Sequence, residues 1–364
     1  MSSGSGAPTG PTPGQHRLAA RPARPTLEQV AELAGVSRAT VSRVVNGAAS
    51  VDPRLADLVT RAIQELGYVP NQAARSLMTR RSSTLVLVAA ESDTRFFADP
   101  FFAAVVRGAG QEVARAGLHL VLSMTQSSAD LERVEDFVRG GHADGVLVLA
   151  EHDSVDVIGR LRGSGVPVVV GGRPLAPHPE VAYVDHDNRG GAALAAHRLL
   201  AGGRTHLATI TGPLDMSAGQ DRLAGFRDAL GPGYDAALVE PGSFTTTSGA
   251  AAAAALVERR PDLDGLFAAS DLMALGAIGE LRRRGRRVPE DVAVVGFDDA
   301  DVAAVSEPPL TTVRQRTTTQ GRLMAQLLLH RLGREVPEPM AELAPGVAAG
   351  RIVLGVDLVV RGTG

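Results

Sequence analysis

Four neighbouring residues, Arg38, Ala39, Ser42 and Arg43, have the types and the spacing of a surface that reads DNA. All four project from the early, exposed turns of one predicted helix, whose opposite face carries three valines at helical spacing. The guanidinium of Arg38 can donate two parallel hydrogen bonds to guanine, whereas Ala39 offers only an apolar contact, for instance to a thymine methyl. The chemistry we expect is therefore sequence-specific binding in a DNA groove.

The flanking residues predict the two short helices and the turn that hold this surface in place. Thr26 and Gln29 have the spacing of a capping box at the start of the first helix. Gly35 tolerates the unusual backbone angles of a turn, and Ser37 can cap the second helix, which begins at Arg38. Such a pair is a helix-turn-helix, although the same pattern also fits a plain helical hairpin.

A third predicted helix favours the DNA-reading alternative, because it can cover the apolar faces of the first two. Asp52 and Pro53 supply its cap and first turn, and Gly67 ends it. Its apolar stripe is unbroken and consists of Leu55, Leu58, Val59, Ala62, Ile63 and Leu66. The segment 71–78 that follows has good helix formers but little apolar face, so we expect it to be helical only when something supports it.

Residues 26–77 resemble the headpiece of the LacI family of bacterial transcription regulators, in the runs AGVSRATVSRVVNG and GYVPNQAARSL. The resemblance implies that the second helix enters the major groove. It implies that Arg38 and Ala39 read bases and that Arg43 contacts a base or a phosphate. It further implies contacts to the DNA backbone, which position the protein without specifying a sequence, from Thr26, Ser37, Thr40, Ser42 and Asn46.

The same resemblance implies that residues 71–77, beginning at Asn71, form a hinge helix in the minor groove of a symmetric operator. Leu77 matches the leucine that the family inserts into the central base step, where the cost of unstacking is offset by contacts to bent DNA. Ala74 lies on the same face of this hinge. We therefore expect palindromic double-stranded DNA as a partner and a homodimer that reads its two half-sites.

Charge and composition agree with a DNA-binding end on a larger body. Residues 1–82 contain ten arginines and five acidic residues, a local charge of +5, whereas the whole chain carries −3. This distribution is typical of phosphate contacts confined to one end, although a solvated arginine-rich surface is the alternative. The chain has neither lysine nor cysteine, which excludes P-loop and Schiff-base chemistry, disulfides and thiolate metal sites.

The sequence also lacks the motifs of catalysis and of export. It contains no HExxH and no GxSxG, so we expect no enzyme, no metal and no cofactor. Residues 1–24 are rich in Gly, Ser, Pro and Arg without the apolar core of a signal peptide, and we expect them to be disordered. No apolar run approaches the ~20 residues of a membrane span, so we expect a cytoplasmic protein.

From residue 84 onward, short apolar runs alternate with helical stretches, as in parallel βαβ units. The expected strands are 85–90, 118–122, 145–149 and 166–170 in one lobe and 206–211, 265–268 and 292–297 in another. Because they do not alternate with polar residues, we expect helices on both sheet faces. Runs such as DPFFAAVVRG, ASDLMALGAIGEL and VAVVGFDDAD resemble the family's periplasmic-binding-protein-like core.

The predicted fold class is therefore α/β, a two-lobed core with parallel sheets preceded by a small all-α headpiece. The family topology implies that the chain crosses between lobes near 183–187, 311–314 and 340–344. The boundaries that follow are 1–24 for the tail, 25–70 for the headpiece, 71–83 for the hinge and linker, and 84–364 for the core. Within the core, one lobe spans about 84–185 plus 315–342 and the other about 186–312 plus 343–364.

Ligands of such folds bind between the lobes, at the carboxyl ends of the strands. Arg222 is the strongest contact that the resemblance implies, although a surface salt bridge is its alternative. Asp298 resembles the carboxylate that accepts from sugar hydroxyls. Ser270 and Asp271 each fit either a ligand contact or a helix cap, and we expect one of each role. The remaining expected contacts are Phe101 and Phe102, which fit ring stacking or core packing, together with Arg173 and Met216.

Departures from the family pattern reduce the range of ligands that we expect as the effector. Gly172 stands where several members have a carboxylate, and Met216 and Ala218 replace the polar groups of purine-binding members. We therefore expect a sugar or a small oligosaccharide, and a repressor of carbohydrate-utilisation genes. A solute-binding receptor is the alternative for the body alone. Whether the effector acts as inducer or corepressor stays open, since both use the same architecture.

Overall fold

The computed structural model describes residues 25–45, 51–69, 81–152, 156–176, 178–335 and 350–364. The chain divides into two compact units, residues 1–78 and 79–364. The predicted tail 1–24 and most of the predicted hinge lie outside the described residues, and so do four predicted DNA contacts, namely Asn46, Asn71, Ala74 and Leu77. No helix within the described ranges is long and apolar enough to span a membrane.

The first unit contains the three predicted helices, α1 (Leu27–Ala34), α2 (Arg38–Val45) and α3 (Pro53–Leu66). Thr26 and Gln29 form the expected capping box, and Gly35 follows α1 in the left-handed conformation. Val30, Val41, Val59 and Ala62 are buried at the centre of the unit. The buried stripe of α3 is narrower than predicted, since 38% of Leu55 and 43% of Leu58 are exposed.

The first lobe of the second unit is built on a parallel sheet with the strand order β11-β5-β4-β3-β1-β2. Its strands are β1 (Thr84–Ala89), β2 (His119–Met124), β3 (Gly145–Leu149), β4 (Val168–Gly171), β5 (Ala182–His186) and β11 (Arg351–Leu354). The helices of this lobe are α4 (Asp93–Ala98), α5 (Pro100–Arg115), α6 (Ser128–Phe137), α7 (Val157–Arg162) and α13 (Thr317–Arg331), with a wide turn at Val138–His142. Leu85 and Leu87 pack on one side of the sheet and Val86 and Val88 on the other, as expected for strands covered on both faces.

The second lobe repeats this plan with the order β12-β10-β9-β8-β6-β7, in which only β12 is antiparallel to its neighbour. Its strands are β6 (Leu207–Thr211), β7 (Val239–Pro241), β8 (Gly265–Ala268), β9 (Ala293–Asp298), β10 (Thr311–Arg314) and β12 (Asp357–Val359). Its helices are α8 (Asn188–Ala201), α9 (Ser217–Leu230), α10 (Thr246–Arg259), α11 (Asp271–Arg283) and α12 (Asp301–Val305), with short 3₁₀ turns at Gly231–Gly233 and Ala236–Leu238. The predicted α/β fold class is confirmed.

Within the described residues the chain crosses between the lobes at three places, and the third crossing differs from the predicted position. The first two follow β5 and β10, as expected. The third was predicted near 340–344, with everything beyond in the second lobe. Instead, β11 pairs with β5 in the first sheet, so the crossing lies after Leu354, at Gly355 and Val356. The apolar run at 352–354 completes the edge of the first sheet, which the sequence pattern alone does not reveal.

Candidate functional site

The predicted DNA-reading residues lie on the exposed side of α2. Arg38, Ala39 and Arg43 are exposed, and Ser42 is half-buried. Arg38 makes an ion pair with Glu28 of α1, with 3.1 Å between Nε and Oε1, and both side chains are more than half exposed. Such an exposed pair contributes little stability, so a phosphate or a base can replace Glu28 as the partner of Arg38.

The hydroxyl groups near this surface have structural roles as well. The Ser37 hydroxyl accepts a hydrogen bond from the Thr40 backbone at 3.1 Å and lies 2.9 Å from the Thr40 hydroxyl. Thr26 Oγ1 accepts from the Gln29 backbone at the start of α1. These contacts fix the first turns of both helices, and therefore the direction in which the exposed face of α2 points.

A cavity lies between the two lobes of the second unit. Residues that follow β1, β3, β4 and β5 of the first sheet line it together with residues that follow β6 and β9 of the second. This is where a doubly wound fold places a ligand. Six of the eight predicted effector contacts line the cavity, namely Phe101, Phe102, Arg173, Met216, Arg222 and Asp298.

Arg222 is the central cation of this cavity and is 5% exposed. Its Nε donates to Asn188 Oδ1 at 2.8 Å and its Nη1 donates to the Ala269 carbonyl at 2.6 Å. The guanidinium carbon lies 3.7 Å from the ring centroid of Phe297, a short cation–π contact. The surface salt bridge that was the alternative for Arg222 is therefore not what the structure shows.

Asp298 lies opposite this guanidinium, with 3.6 Å between its Oδ1 and Arg222 Nη1. Burial raises the pKa of this carboxyl well above its usual range, although the charge of Arg222 acts in the other direction. Gln315 Nε2 donates to Asp298 Oδ1 at 2.5 Å. Asp298 also has a positive φ of 122°, a strained conformation for a residue with a side chain. A backbone held in this way keeps the carboxylate at the end of β9 facing the cavity.

Ser270 and Asp271 do not line the cavity in the described structure, contrary to the expectation that one of them would contact the ligand. Ser270 caps α11 by accepting from the Met273 backbone at 3.3 Å. Asp271 accepts from the Ala300 backbone at 2.8 Å and from the Thr312 hydroxyl at 2.5 Å. Both side chains are thus used inside the second lobe, where Ser270 fixes the first turn of α11 and Asp271 braces the loop that follows Asp298.

Arg173 has a partner that the sequence did not suggest. Its Nη2 lies 3.0 Å from both carboxylate oxygens of Asp221, and its Nε lies 3.1 Å from one of them. Arg173 follows β4 of the first lobe, whereas Asp221 belongs to α9 of the second. The pair therefore joins the lobes at the edge of the cavity, and Arg173 lines the cavity without being a free cation.

The two adjacent phenylalanines differ in role, one packing in the core and the other presenting its ring to the cavity. Phe102 is 1% exposed and packs on Phe96, with ring centroids 4.8 Å apart, so it belongs to the core as well as to the cavity wall. Phe101 is half-buried and meets Phe102 edge to face. Phe101 is therefore the ring with more free surface toward a ligand.

Several polar residues of the cavity were missed by the sequence reasoning. Asp185 and His186 end β5, Asn188 begins α8, and Gln315 follows β10, so each lies at the carboxyl end of a strand. A position at the carboxyl end of a strand is the sequence signal for such residues, but our predictions used it only for residues within the family motifs. The further polar and aromatic residues of the wall that were missed are Arg95, Asp99, Glu151, Ser217, Phe244 and Gln320.

Burial perturbs the titration of several of these groups. It raises the pKa of Asp185 to about 6 and raises that of Asp99. It also lowers the pKa of His186 to about 3, with help from the charge of Arg222. The cavity is thus rich in desolvated acceptors around one central cation. Among the described residues, no group of three or more side chains is arranged to hold a metal ion.

Comparison with known proteins identifies both units. Residues 26–71 match the model for bacterial regulatory proteins of the lacI family, and residues 196–351 match that for a periplasmic binding protein-like domain. The chain is 50% identical to the HTH-type transcriptional regulator CelR of Thermobifida fusca, over 94% of this chain and 98% of that protein. It is 32% identical to the ribose operon repressor of Bacillus subtilis strain 168, over 88% and 94% of the two chains.

Solved structures give the same result. A complex of the transcriptional regulator CelR with cellobiose has a TM-score of 0.72 and 48% identity, and the match covers 94% of this chain and all of that one. The lac repressor dimer bound to operator and the anti-inducer ONPF has a TM-score of 0.78 and 28% identity, with 94% and 99% covered. The relatives named here are all regulators of transcription, and none is an enzyme.

Proposed function

Because the chain belongs to the LacI family of bacterial regulatory proteins, we propose that it is a homodimeric repressor of carbohydrate-utilisation genes, controlled by a small sugar bound between its lobes. The observation that carries this proposal is the cavity around Arg222, in which one buried guanidinium faces Asp298 and several other acceptors. Sugar hydroxyls both donate and accept hydrogen bonds, so they match such a mixed lining.

Cellobiose is the first candidate for the effector. The relative whose structure contains cellobiose shares 48% identity with this chain over nearly its whole length. The half-buried ring of Phe101 offers an apolar face, and the carboxylates of Asp99, Asp185 and Asp298 accept hydrogen bonds. Apolar faces and carboxylates are the groups that a disaccharide of two glucose rings would use.

For the DNA contacts, we propose that α2 lies in the major groove of a palindromic operator. Arg38 and Ala39 read bases in this proposal, Arg43 contacts a base or a phosphate, and Thr26, Ser37, Thr40 and Ser42 contact the backbone. Asn46, Asn71, Ala74 and Leu77 complete the proposed interface from the sequence resemblance alone. A regulator of this kind acts in the cytoplasm, where bacterial DNA lies.

Effector control follows from the position of the cavity. A ligand that contacts both lobes stabilises one relative arrangement of them, and a preference of the DNA-bound dimer for either arrangement couples the two binding events. The described residues include three crossings between the lobes, and we expect a change in the angle between the lobes to be carried by these segments.

The proposal is tested by selecting operators from random duplexes with the full chain and then measuring their release by cellobiose. We expect palindromic sites whose affinity falls in the Arg38→Ala variant by about tenfold or more, the loss of one good base contact. Selection of no sequence at all would reject the proposal. Glu65→Ala, on α3 of the same unit, is the matched control and should leave the selected sequence unchanged.

A further inference from the structure

Two buried acceptor atoms in the cavity wall have no hydrogen-bond partner among the described residues. They are Nε2 of His186 and Oε1 of Gln320, in side chains that are 3% and 2% exposed. Both residues line the cavity between the lobes. Because most buried polar atoms in folded proteins are hydrogen-bonded and these two residues line the cavity, the two atoms are places where a bound ligand can supply hydrogen.

The orientation of the Gln320 amide follows from its other contact. Its Nε2 donates to the Val184 carbonyl at 2.9 Å. Reversing the amide would place two oxygens against each other, so the free atom is an oxygen that accepts and cannot donate.

The free ring nitrogen of His186 is also an acceptor. Burial and the charge of Arg222 lower the pKa of His186 to about 3, so the ring is neutral at physiological pH. A neutral imidazole has one donor nitrogen and one acceptor nitrogen. A hydrogen bond with the Arg316 backbone raises the pKa of His186, as a carbonyl acceptor does. Because Nε2 has no partner among the described residues, we assign the donated hydrogen to Nδ1, which leaves Nε2 as the acceptor.

The arginines of the cavity each have at least one partner, although the buried Nε of Arg95 has none among the described residues. Arg222 donates to Asn188 and to the Ala269 carbonyl, and Arg173 is paired with Asp221. Arg95 is paired with Glu91. A ligand therefore meets open acceptors at His186 and Gln320 and an open donor at Arg95. This mixture favours hydroxyl groups, which both donate and accept, over ionised carboxylates and phosphates, which only accept.

We propose that His186 and Gln320 are specificity-determining residues that accept hydrogen bonds from two hydroxyls of the effector and thereby select a neutral saccharide over an acidic or phosphorylated one. This inference rests on the proposed sugar-controlled function and assigns the charge class of the sugar. The ionised oxygens of an acidic or phosphorylated sugar cannot donate a hydrogen bond to either acceptor.

The test compares three probes in the full chain by calorimetry: cellobiose, cellobionate and cellobiose 6′-phosphate. Binding of cellobiose at least about tenfold tighter than either anion is the expected result, because one unpaired buried charge or acceptor outweighs a factor of ten. The variants His186→Phe and Gln320→Met keep the approximate size of each side chain and remove the acceptor. Each should weaken cellobiose binding by about tenfold.

Gln326→Met is the matched control, because Gln326 lies on the same helix, is 1% exposed and also has an unpartnered Oε1, yet does not line the cavity. It should bind cellobiose like the unaltered protein. Thermal unfolding of each variant without sugar separates loss of the fold from loss of the contact. Equal or tighter binding of either anion overturns the inference, whereas the proposed function as a sugar-controlled repressor still stands. Unchanged binding by both His186→Phe and Gln320→Met also overturns it, whereas failure of all three probes to bind rejects the sugar effector itself.

Discussion

Arg173 of the first lobe and Asp221 of the second form a two-point ion pair, with Arg173 Nη2 3.0 Å from both carboxylate oxygens. The pair lies at the edge of the cavity, so it holds the two lobes together beside the place where a ligand would bind. Their side chains are 38% and 27% exposed, which limits the strength of the pair through screening by solvent.

We expect Asp221→Asn to weaken effector binding by a few-fold, mainly through faster dissociation, since an exposed pair contributes up to about 1 kcal/mol. Stopped-flow release of cellobiose measures this rate. The matched control is Asp228→Asn, which removes an ion pair with Arg189 inside the second lobe and should not change the rate. An identical dissociation rate in Asp221→Asn and in the unaltered protein would show that the lobes are not held by this pair.

A second contact between the lobes depends on pH. His152 follows β3 of the first lobe, and its Nδ1 lies 2.8 Å from Asp215 Oδ2 in the loop after β6. Its Nε2 lies 3.5 Å from Glu91, which is itself paired with Arg95. The hydrogen bond with Glu91, followed by that with Asp215, raises the pKa of His152 above 6.5 even though burial opposes the rise.

Because the protonated ring is stabilised by both carboxylates, the contact is strongest below pH 6.5 and is lost as the pH rises through the raised pKa. We expect effector affinity to fall over that range and the His152→Gln variant to flatten the profile. Isothermal titrations from pH 6 to 9 provide the measurement. His206→Gln, which removes a contact to Asp262 within one lobe, is the control for a general effect of histidine loss. A slope that survives in His152→Gln would assign the pH dependence to another group.

At the end of β9, the sequence pattern predicted one ligand-facing residue but not the roles of its neighbours. The run VAVVGFDDAD predicted a strand that ends in a carboxylate, and Asp298 lies in the cavity as expected. The roles of Ser270 and Asp271 were not predictable, because a cap and a ligand contact use the same residue types at a strand end. The choice depends on Ala300 and Thr312, which reach Asp271 only after the sheet has formed.

The same limit explains the other differences. β11 was assigned to the wrong lobe because a short apolar strand fits either sheet edge, and its pairing with β5 is a long-range contact. Arg173 was identified by its position, but its partner Asp221 comes from the opposite lobe, where no local pattern points to it. Local signals predicted the elements and their caps well, whereas contacts between lobes required the assembled structure.

Ser270→Ala should separate a structural role from ligand binding. Loss of the cap on α11 should lower the free energy of unfolding by about 1 kcal/mol. Since Ser270 does not line the cavity, the affinity for cellobiose should stay unchanged. Urea unfolding and calorimetry on the same preparation measure the two quantities. A selective loss of affinity at unchanged stability would return Ser270 to the ligand site.

Arg222 is the residue on which effector binding depends most. Arg222→Ala would leave Asp298, Asp185 and Asp99 without their central cation, and removing one partner of a buried ion pair costs about 3–5 kcal/mol of stability. We therefore expect Arg222→Lys to be the more informative variant, because it keeps the charge and loses the forked contacts to Asn188 and Ala269. Calorimetry should show at least about a tenfold loss of cellobiose affinity. Retention of full affinity would place the ligand elsewhere.

The coupling between the cavity and DNA binding is tested most directly by the affinity of the full chain for a selected operator. Fluorescence anisotropy measures this affinity as cellobiose or another neutral saccharide is added. We expect the operator affinity of the unaltered protein to change by about tenfold or more, which is within the range of allosteric coupling. We expect Arg222→Lys to need at least about tenfold more sugar for the same shift, while its operator affinity without sugar stays unchanged. An operator affinity that no neutral saccharide changes, or an Arg222→Lys variant that responds at the same saccharide concentration as the unaltered protein, would contradict the coupling of the cavity to DNA binding.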